Sequence, residues 1–483
     1  MADAVPNIWE SYLTELRTQT RTERGVVSTV SRFSKYTKED ISEYLKSPQD
    51  YEKQLRNASI YMYANSTHYY NLINFHALMP TWAYTLSPLK FDEKSIDPDT
   101  FYKQYLKVVQ KVQTMNLAHE MITPFRVCFR EDVFYGVLYE TKDAFFIQKL
   151  NPDYCRISAV VDGTFAFEFD FSQIREENLV EYPEFFTSLF NQYQRDSSLR
   201  WQEIPVDQSI CLKVNQDLLY PLPPFAGSMP LLYDIEDYKD LIKQREEIFN
   251  YKALNMEIPL DAKGSPLIES DVSQAYYNRA LRELPEGVGL IMSPMKMGSF
   301  QFEKTGLTDT DEVANAELRF WSSTGTSPLL FGSGKDSVTA LKYSIKANEQ
   351  IVLALMRQAE RWVNRKLKTL SGKIKFRMNI LPVTHFNAEE KIAQYKEASG
   401  LGLPVKSQYA VLQDMEFGDI DGMAYLENEI LRYPEKFIPL SSTYTQSANT
   451  EDEGGRPTNE SVGKDLTEAG EQTQRDDENA NRE

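Results

Sequence analysis

The chain has 483 residues, of which 41% are hydrophobic, 26% charged and 12% aromatic, a composition typical of a globular protein with a large core. It carries 53 Lys and Arg against 71 Asp and Glu, so its formal net charge is −18. A protein that grips nucleic acid through phosphates should be basic or show a dense basic stripe. Neither is visible, so a sequence-reading DNA-binding protein is not expected.

Three cysteines, Cys128, Cys155 and Cys211, are far apart and form no CxxC pair. This spacing disfavours a disulfide framework or a zinc site and indicates a reducing compartment. Residues 1–10 lack the basic and apolar regions of a signal peptide, and no stretch approaches the roughly 20 apolar residues that cross a bilayer. We therefore expect no membrane segment.

Helical spacing of apolar residues dominates the first 125 residues, and alternation then replaces it. The predicted helices here are Asp40–Leu45, Glu52–Leu78 and Phe101–Met115. The predicted strands are Arg126–Phe129, Val133–Glu140, Ala144–Lys149, Arg156–Val161, Thr164–Phe171 and, after a helix at Glu181–Arg195, Ile210–Asn215.

One strand carries phenylalanine at every second position, and a turn signal precedes it. Asp162-Gly163 is a strong two-residue hairpin signal. Small or acidic residues occupy the other face of the strand, so we expect a half-buried antiparallel sheet. The four phenylalanines are Phe165, Phe167, Phe169 and Phe171.

The middle of the chain predicts a charged helix at 230–255, a small inserted α/β unit at 256–305 and a second helix from about Thr308 to Ser322. The unit should hold a helix at Asp271–Leu284 and strands near Val288–Met292 and Ser299–Glu303. Acidic residues on the two helices either form a solvated face or line a pore, and both readings stay open. The candidates are Asp234, Asp237, Glu247, Asp309, Asp311 and Glu312.

A glycine-rich loop, TGTSPLLFGSGK at 324–335, follows the second helix. It is not a phosphate-binding loop, because Leu329 stands where the first glycine is required and Asp336 where Ser or Thr is required. Its Leu-Leu-Phe run is either exposed for function or buried as an anchor. An unbroken helix at Ser337–Leu370, roughly 50 Å long, comes next and suggests an assembly role.

Beyond that helix the sequence predicts a strand at Ile374–Val383 and helical segments at Ala388–Ser399, Val405–Met415 and Ile420–Tyr433. Residues 441–483 hold 4 basic and 11 acidic residues and one aromatic, so this tail should not bury enough apolar surface to order itself.

No motif indicates catalysis, a cofactor or a metal site. The sequence has no HExxH pair and no G-x-S-x-G turn, although a scattered Ser–His–Asp triad stays open because its members need not be near in sequence. The four histidines are His68, His76, His119 and His385.

The order of these parts resembles the portal proteins of tailed bacteriophages, from about residue 40 to the tail. The β-rich run VLYETKDAFFIQKLNPDYCRISAVVDGTFAFEFDF resembles the portal wing, and TGTSPLLFGSGK resembles the tunnel loop. The resemblance implies an α+β chain with the following parts: wing 1–229, stem helix 230–255, clip 256–305, stem helix 306–323, tunnel loop 324–336, long wing helix and strand 337–386, crown 387–440 and disordered acidic tail 441–483.

Family membership would imply a dodecameric ring at one capsid vertex, assembled in the bacterial host cytoplasm, through which double-stranded DNA is packaged, retained and ejected without ATP hydrolysis. The clip would dock the terminase motor and then the head–tail adaptor, and the wing would meet the capsid and scaffold proteins. No membrane partner is implied.

The resemblance also assigns residues to two surfaces besides the acidic stem candidates, and Lys342 is a further candidate for a phosphate contact. The DNA-facing loop residues would be Thr326, Ser327, Leu329, Leu330, Phe331, Ser333 and Lys335. The docking residues of the clip would be Asp261, Lys263, Arg279, Arg282 and Glu286.

Charge supports a conduit independently, since an acidic lining repels phosphates and lets a duplex slide. Two alternatives stay open: a soluble cytoplasmic enzyme with a scattered active site, which predicts a concave pocket of convergent titratable groups, and another virion structural protein.

Overall fold

The computed structural model describes residues 35–89, 97–141, 144–250, 252–257, 259, 267–268, 270–283, 288–293, 300–301, 309–331, 337–370 and 372–437. The predicted tail at 441–483 lies outside the described residues. The chain divides into two compact units, and the boundary lies between residues 418 and 419.

The first unit contains both helices and strands. Its helices are α1 (Lys38–Tyr44), α2 (Glu52–Asn65), α3 (Thr67–Ala77), α4 (Pro98–Met115), α5 (Leu117–Glu120), α6 (Ile122–Glu131), α7 (Glu184–Arg195), α8 (Met229–Asn250), α9 (Ser270–Glu283), α10 (Asp309–Ser323), α11 (Val338–Thr369), α12 (Ala388–Gly400) and α13 (Lys406–Val411). Its strands are β1 (Tyr84–Leu89), β2 (Val133–Glu140), β3 (Phe145–Lys149), β4 (Cys155–Val161), β5 (Thr164–Asp170), β6 (Trp201–Glu203), β7 (Ser209–Lys213), β8 (Lys252–Glu257), β9 (Val288–Ser293), β10 (Phe300–Gln301) and β11 (Lys375–Ile380).

The second unit, in its described part, holds α14 (Ile420–Tyr425), a π-helical turn at Leu426–Ile430 and α15 (Tyr433–Lys436).

The strands form small sheets rather than one large one. Two antiparallel three-stranded sheets have the orders β3-β2-β7 and β4-β5-β6, and β1 pairs with β11 antiparallel. In the inserted unit β8 pairs with β9 in parallel and with β10 antiparallel, so β8, α9 and β9 form a parallel crossover. The predicted α+β class is confirmed.

The predicted hairpin is confirmed between β4 and β5. Asp162 and Gly163 both have positive φ, 50° and 72°, as a two-residue type I′ turn requires. Phe167 and Phe169 are fully buried in a second, smaller core. The other face is covered too, since Ala166 is also fully buried, so the strand is more enclosed than the alternating pattern predicted.

Several predicted elements are wrong in type or extent, among them the helix at Ile420–Tyr433, which gives way to a π-helical turn after Tyr425. The strand predicted at Arg126–Phe129 is part of α6, a ten-residue helix with six buried side chains, and such an apolar run does not distinguish a strand from a helix. The helix predicted at 52–78 breaks at Ser66, whose hydroxyl accepts from Tyr69 N and caps α3. The helix predicted at 230–255 ends at Asn250, and its last part is strand β8.

The long helix α11 is the centre of the larger core. It packs against β7, β11 and α3. The side-chain amide of Gln358 bonds to the backbone of Lys213 as a neighbouring strand would. Gln358 Oε1 accepts from Lys213 N at 3.2 Å, and Gln358 Nε2 donates to Lys213 O at 2.7 Å. Trp362 Nε1 donates to Ser209 O at 2.9 Å. These bonds satisfy the edge of β7, which would otherwise stay open.

A buried ion pair joins the start of β2 to the end of β7. Lys213 Nζ lies 2.7 Å from Asp132 Oδ2, and both side chains are almost fully buried. Asp132, at φ 76°, also accepts from the amides of Asn215 at 2.8 Å and Leu222 at 3.1 Å. The carboxylate therefore organises the turn after β7 as well as pairing with the lysine.

The three thiols are also enclosed. Cys128, Cys155 and Cys211 are buried and unpaired, and burial raises the pKa of each above its ordinary value.

We expect Lys213→Met to lower the free energy of unfolding by about 3–5 kcal/mol, because it leaves the Asp132 charge buried without its partner. Urea denaturation at pH 7 measures the change. Lys239→Met removes a half-exposed pair with Glu236 and should cost less than about 1 kcal/mol. Equal losses in the two variants would show that the buried pair contributes no more than a surface one.

Candidate functional site

The junction between α10 and α11 is the first candidate, because the sequence places the predicted loop there. Helix α10 ends in a tight reversal at Gly325, which has φ 71°. Thr326 N donates to Trp321 O at 3.1 Å and Gly325 N to Ser322 O at 3.3 Å, the pair of bonds that closes a helix on a left-handed glycine. This reversal directs the chain towards α11.

Helix α11 then holds the start of the loop through two polar side chains. Ser344 Oγ donates to Gly325 O at 3.0 Å and accepts from Ser327 N at 2.9 Å. Asn348 Nδ2 donates to Gly325 O at 3.1 Å and to Ser344 O at 2.9 Å. These donors fix the amide of Asn348, so its Oδ1 faces the ring of His76.

His76 links this anchor to α3. Its Nε2 lies 2.9 Å from Asn348 Oδ1 and its Nδ1 lies 2.8 Å from Leu72 O. Burial lowers the pKa of His76, and these two contacts oppose that shift. Both ring nitrogens face acceptors, so a neutral ring donates to only one of them. The loop, α11 and α3 thus share one buried polar cluster.

An aromatic contact anchors the next part of the loop. Phe331 stacks on Trp321 with ring centroids 4.2 Å apart and planes 13° apart, and its edge meets Phe75 at 6.1 Å. Trp321 is almost fully buried and packs on Phe320. The Leu-Leu-Phe run was interpreted either as exposed for function or as a buried anchor, and these ring contacts support the second interpretation for Phe331.

The predicted DNA-facing residues therefore divide into three groups. Two have side chains that are buried within the subunit, and their contact with DNA stays a prediction: Thr326 and Ser327. Three are half-buried on the 3₁₀ turn at Pro328–Phe331: Leu329, Leu330 and Phe331. Two lie outside the described residues: Ser333 and Lys335.

The two predicted stem helices, α8 and α10, pack against each other. Among their acidic candidates, Asp234 is half-buried and forms an ion pair with Lys38, Asp237 is exposed, and Glu312 is half-buried. The side chains of the other three lie outside the described set: Glu247, Asp309 and Asp311. A common acidic wall stays a prediction.

The predicted clip contains the crossover β8-α9-β9. Arg279 and Arg282 are exposed on α9. The other predicted docking residues lie outside the described part of the chain: Asp261, Lys263 and Glu286.

An open groove of 1770 Å³ is the second candidate site. It lies between α4, the end of β2, the segment at 179–188 and the end of α11. Lys366 Nζ lies 2.9 Å from Glu140 Oε2, and Lys111 pairs with the same carboxylate. Burial lowers the pKa of both lysines, and their mutual repulsion lowers that of Lys111 further. The nearby Asp207 carboxylate opposes the lowering of the pKa of Lys366.

The groove is larger than the roughly 300–1,000 Å³ typical of small-molecule sites. Its lining includes Ser188 and Thr187 as hydroxyls but neither histidine nor cysteine. Two of its three lysines, Lys111 and Lys366, pair with Glu140. The groove therefore presents charged groups suited to ionic recognition.

The sequence disfavoured a metal site and a membrane-spanning segment. In the ranges that the structure describes, no group of three or more His, Cys, Asp or Glu side chains is placed to hold a metal ion. Of the described helices, none combines the length and apolarity needed to cross a bilayer.

A concentration of basic residues on α11 was not predicted. Helix α11 has seven Lys and Arg against two Glu, a net charge of +5, so the rest of the chain carries −23. Charge counted for each predicted element, rather than for the whole chain, would have found it.

The chain matches no family model, and no curated protein matches it. Among solved structures it is similar to a chain in the virion of a native gene transfer agent particle, with 12% identity, a TM-score of 0.42 and coverage of 76% of this chain and 93% of that chain.

Two further similar chains come from necks of such particles. One is from an empty particle computed with C6 symmetry, with 12% identity, a TM-score of 0.41 and coverage of 74% and 93%. The other is from a native particle computed with C12 symmetry, with 14% identity, a TM-score of 0.40 and coverage of 75% and 92%. These TM-scores are low, so the function proposed below rests on this chain's own residues.

We expect Asn348→Ala to loosen the loop, because the Gly325 carbonyl loses one donor and His76 loses a partner. The free energy of unfolding should fall by about 1–3 kcal/mol. Hydrogen exchange should accelerate at the amides of Thr326 and Ser327. Thr339→Ala, at an exposed position of α11, is the control and should change neither; unchanged exchange in Asn348→Ala would refute the anchoring role.

Proposed function

We propose that this chain is the portal subunit of a tailed-phage-like virion, a ring-forming conduit for double-stranded DNA at a capsid vertex. One observation carries the proposal: α8 and α10 pack together and bracket a small module of β8, α9, β9 and β10. An anchored loop and the 32-residue α11 follow. A stem pair carrying an insertion and leading through a loop into a long helix is the order that the portal resemblance implies.

The distribution of charge supports a conduit rather than a DNA-holding protein. Outside α11 the chain sums to −23. A ring of such subunits presents mostly negative surface, which keeps phosphates from adhering and avoids the counterion release that holds a duplex on a basic surface. DNA would pass without sequence readout.

The architecture also suits a cyclic assembly. A ring needs two different, complementary surfaces on each subunit, joined head to tail. The helix α11, about 48 Å long, leaves one side exposed along its length. We propose a dodecamer that is assembled in the host cytoplasm and becomes part of the virion.

The remaining roles follow from the same proposal. The module around α9 would dock the terminase and later the head–tail adaptor, with Arg279 and Arg282 on its exposed surface. The β-rich region would meet capsid and scaffold proteins. We propose that the subunit itself catalyses no reaction; neither histidine nor cysteine lines the large groove.

Electron microscopy of the purified full-length protein tests this proposal. We expect closed rings with an axial opening, walled mainly by acidic and neutral side chains, at low and moderate salt. Only monomers or dimers across several salt and protein concentrations would refute the ring. An opening lined mainly by Lys and Arg would refute the conduit mechanism.

A further inference from the structure

We infer that the exposed side of α11 is a subunit contact, and that it receives the acidic 3₁₀ segment Glu176–Glu181 of a second copy of this chain. The inference deepens the proposed ring and rests on it. It concerns which surfaces of one subunit meet its neighbour.

The contact surface on α11 is a stripe with alternating spacings of four and three residues, the geometry of one helix face. Each member is exposed except Ala354 and Asn364, which are half-buried. We call these residues the α11 stripe: Tyr343, Ala347, Gln350, Ala354, Arg357, Arg361, Asn364 and Lys368.

The stripe changes character along its length. Its first half is neutral and includes Tyr343, which is 70% exposed, and beside it lies Ile351, which is 43% exposed. Its second half carries Arg357, Arg361 and Lys368. Within the subunit, Lys368 pairs with Asp162 and Arg361 lies against Gly163. Tyrosine and arginine are enriched in protein interfaces. A surface for phosphates alone has no need of exposed tyrosine and isoleucine, so a protein partner fits better than DNA.

The partner must be acidic and must present apolar surface. In the described part of this chain, Glu176–Glu181 has both properties, with exposed carboxylates at Glu176 and Glu177 and with Val180 83% exposed. Its end is held in place, because Tyr139 Oη and Gln148 Nε2 each donate to Glu181 O at 2.9 Å. A fixed segment loses little entropy on docking.

Charge complementarity therefore pairs two different surfaces of identical chains. Such a contact is heterologous, so it propagates from copy to copy and closes if the rotation permits. Opposite charges would steer the encounter and set the register, and exposed pairs weaken as salt rises.

Charge reversal and charge swap on the full-length chain test the inference. The first variant is Arg357→Glu with Arg361→Glu, the second is Glu176→Lys with Glu177→Lys, and the third combines all four changes. The matched control reverses two exposed lysines elsewhere, Lys103→Glu with Lys396→Glu. Mass photometry at low and moderate salt measures assembly, and thermal unfolding checks that each variant folds.

We expect the first and second variants to need an about tenfold higher concentration for half-assembly, equivalent to about 1.4 kcal/mol. The combined variant should recover most of that loss, while the control assembles as the unsubstituted chain does. Recovery would not follow from misfolding, so it separates a contact from a folding defect.

Two outcomes overturn this inference while leaving the proposed function standing, and in both the unsubstituted chain forms rings. In the first, the arginine variant assembles as well as the unsubstituted chain. In the second, the arginine variant assembles normally but binds a duplex oligonucleotide more weakly. The second outcome would mark the stripe as a phosphate surface. If the unsubstituted chain forms no ring at all, the proposed function fails and this inference fails with it.

Discussion

The side of α11 that carries Val352, Leu355 and Trp362 is buried, and the rest of the first unit depends on that burial. These side chains lie in the larger core, and the helix packs on β7, β11 and α3. Burying a large apolar side chain contributes roughly 1.5–3 kcal/mol. The same helix pairs with the backbone of β7 through Gln358, so one element both fills the core and protects a strand edge.

Polar anchors work together with this apolar packing. Ser344 and Asn348, on the turn of α11 that precedes the core contacts, hold the backbone at Gly325, and Asn348 also faces His76. The start of the loop is therefore fixed relative to the core. Such a buried cluster is stable only when its members are satisfied, because an unpaired polar group in a core costs about 1–3 kcal/mol.

Much of the fold was predictable from local pattern. The hairpin at Asp162-Gly163, the helix–module–helix order and the long α11 all have strong short-range signals. Helix α6 was not predictable in this way, because its short apolar run, Val127 to Phe129, reads like a strand. Strand β8 was missed because charged, helix-favouring residues lead directly into it.

The candidate site was less predictable. A loop of glycines, serines and leucines looks exposed, yet Thr326 and Ser327 are buried, and Ser327 N donates to Ser344 Oγ on α11. Sequence spacing does not reveal such partners. The basic stripe was missed for the opposite reason, since a whole-chain sum of −18 conceals a helix of +5.

The three enclosed thiols have a practical consequence. Only thiolates react readily with alkylating or oxidising reagents, and burial keeps Cys128, Cys155 and Cys211 in the neutral form and out of reach. Their modification must therefore wait for the surrounding structure to open. The chain thus carries intrinsic reporters of local opening at α6, β4 and β7.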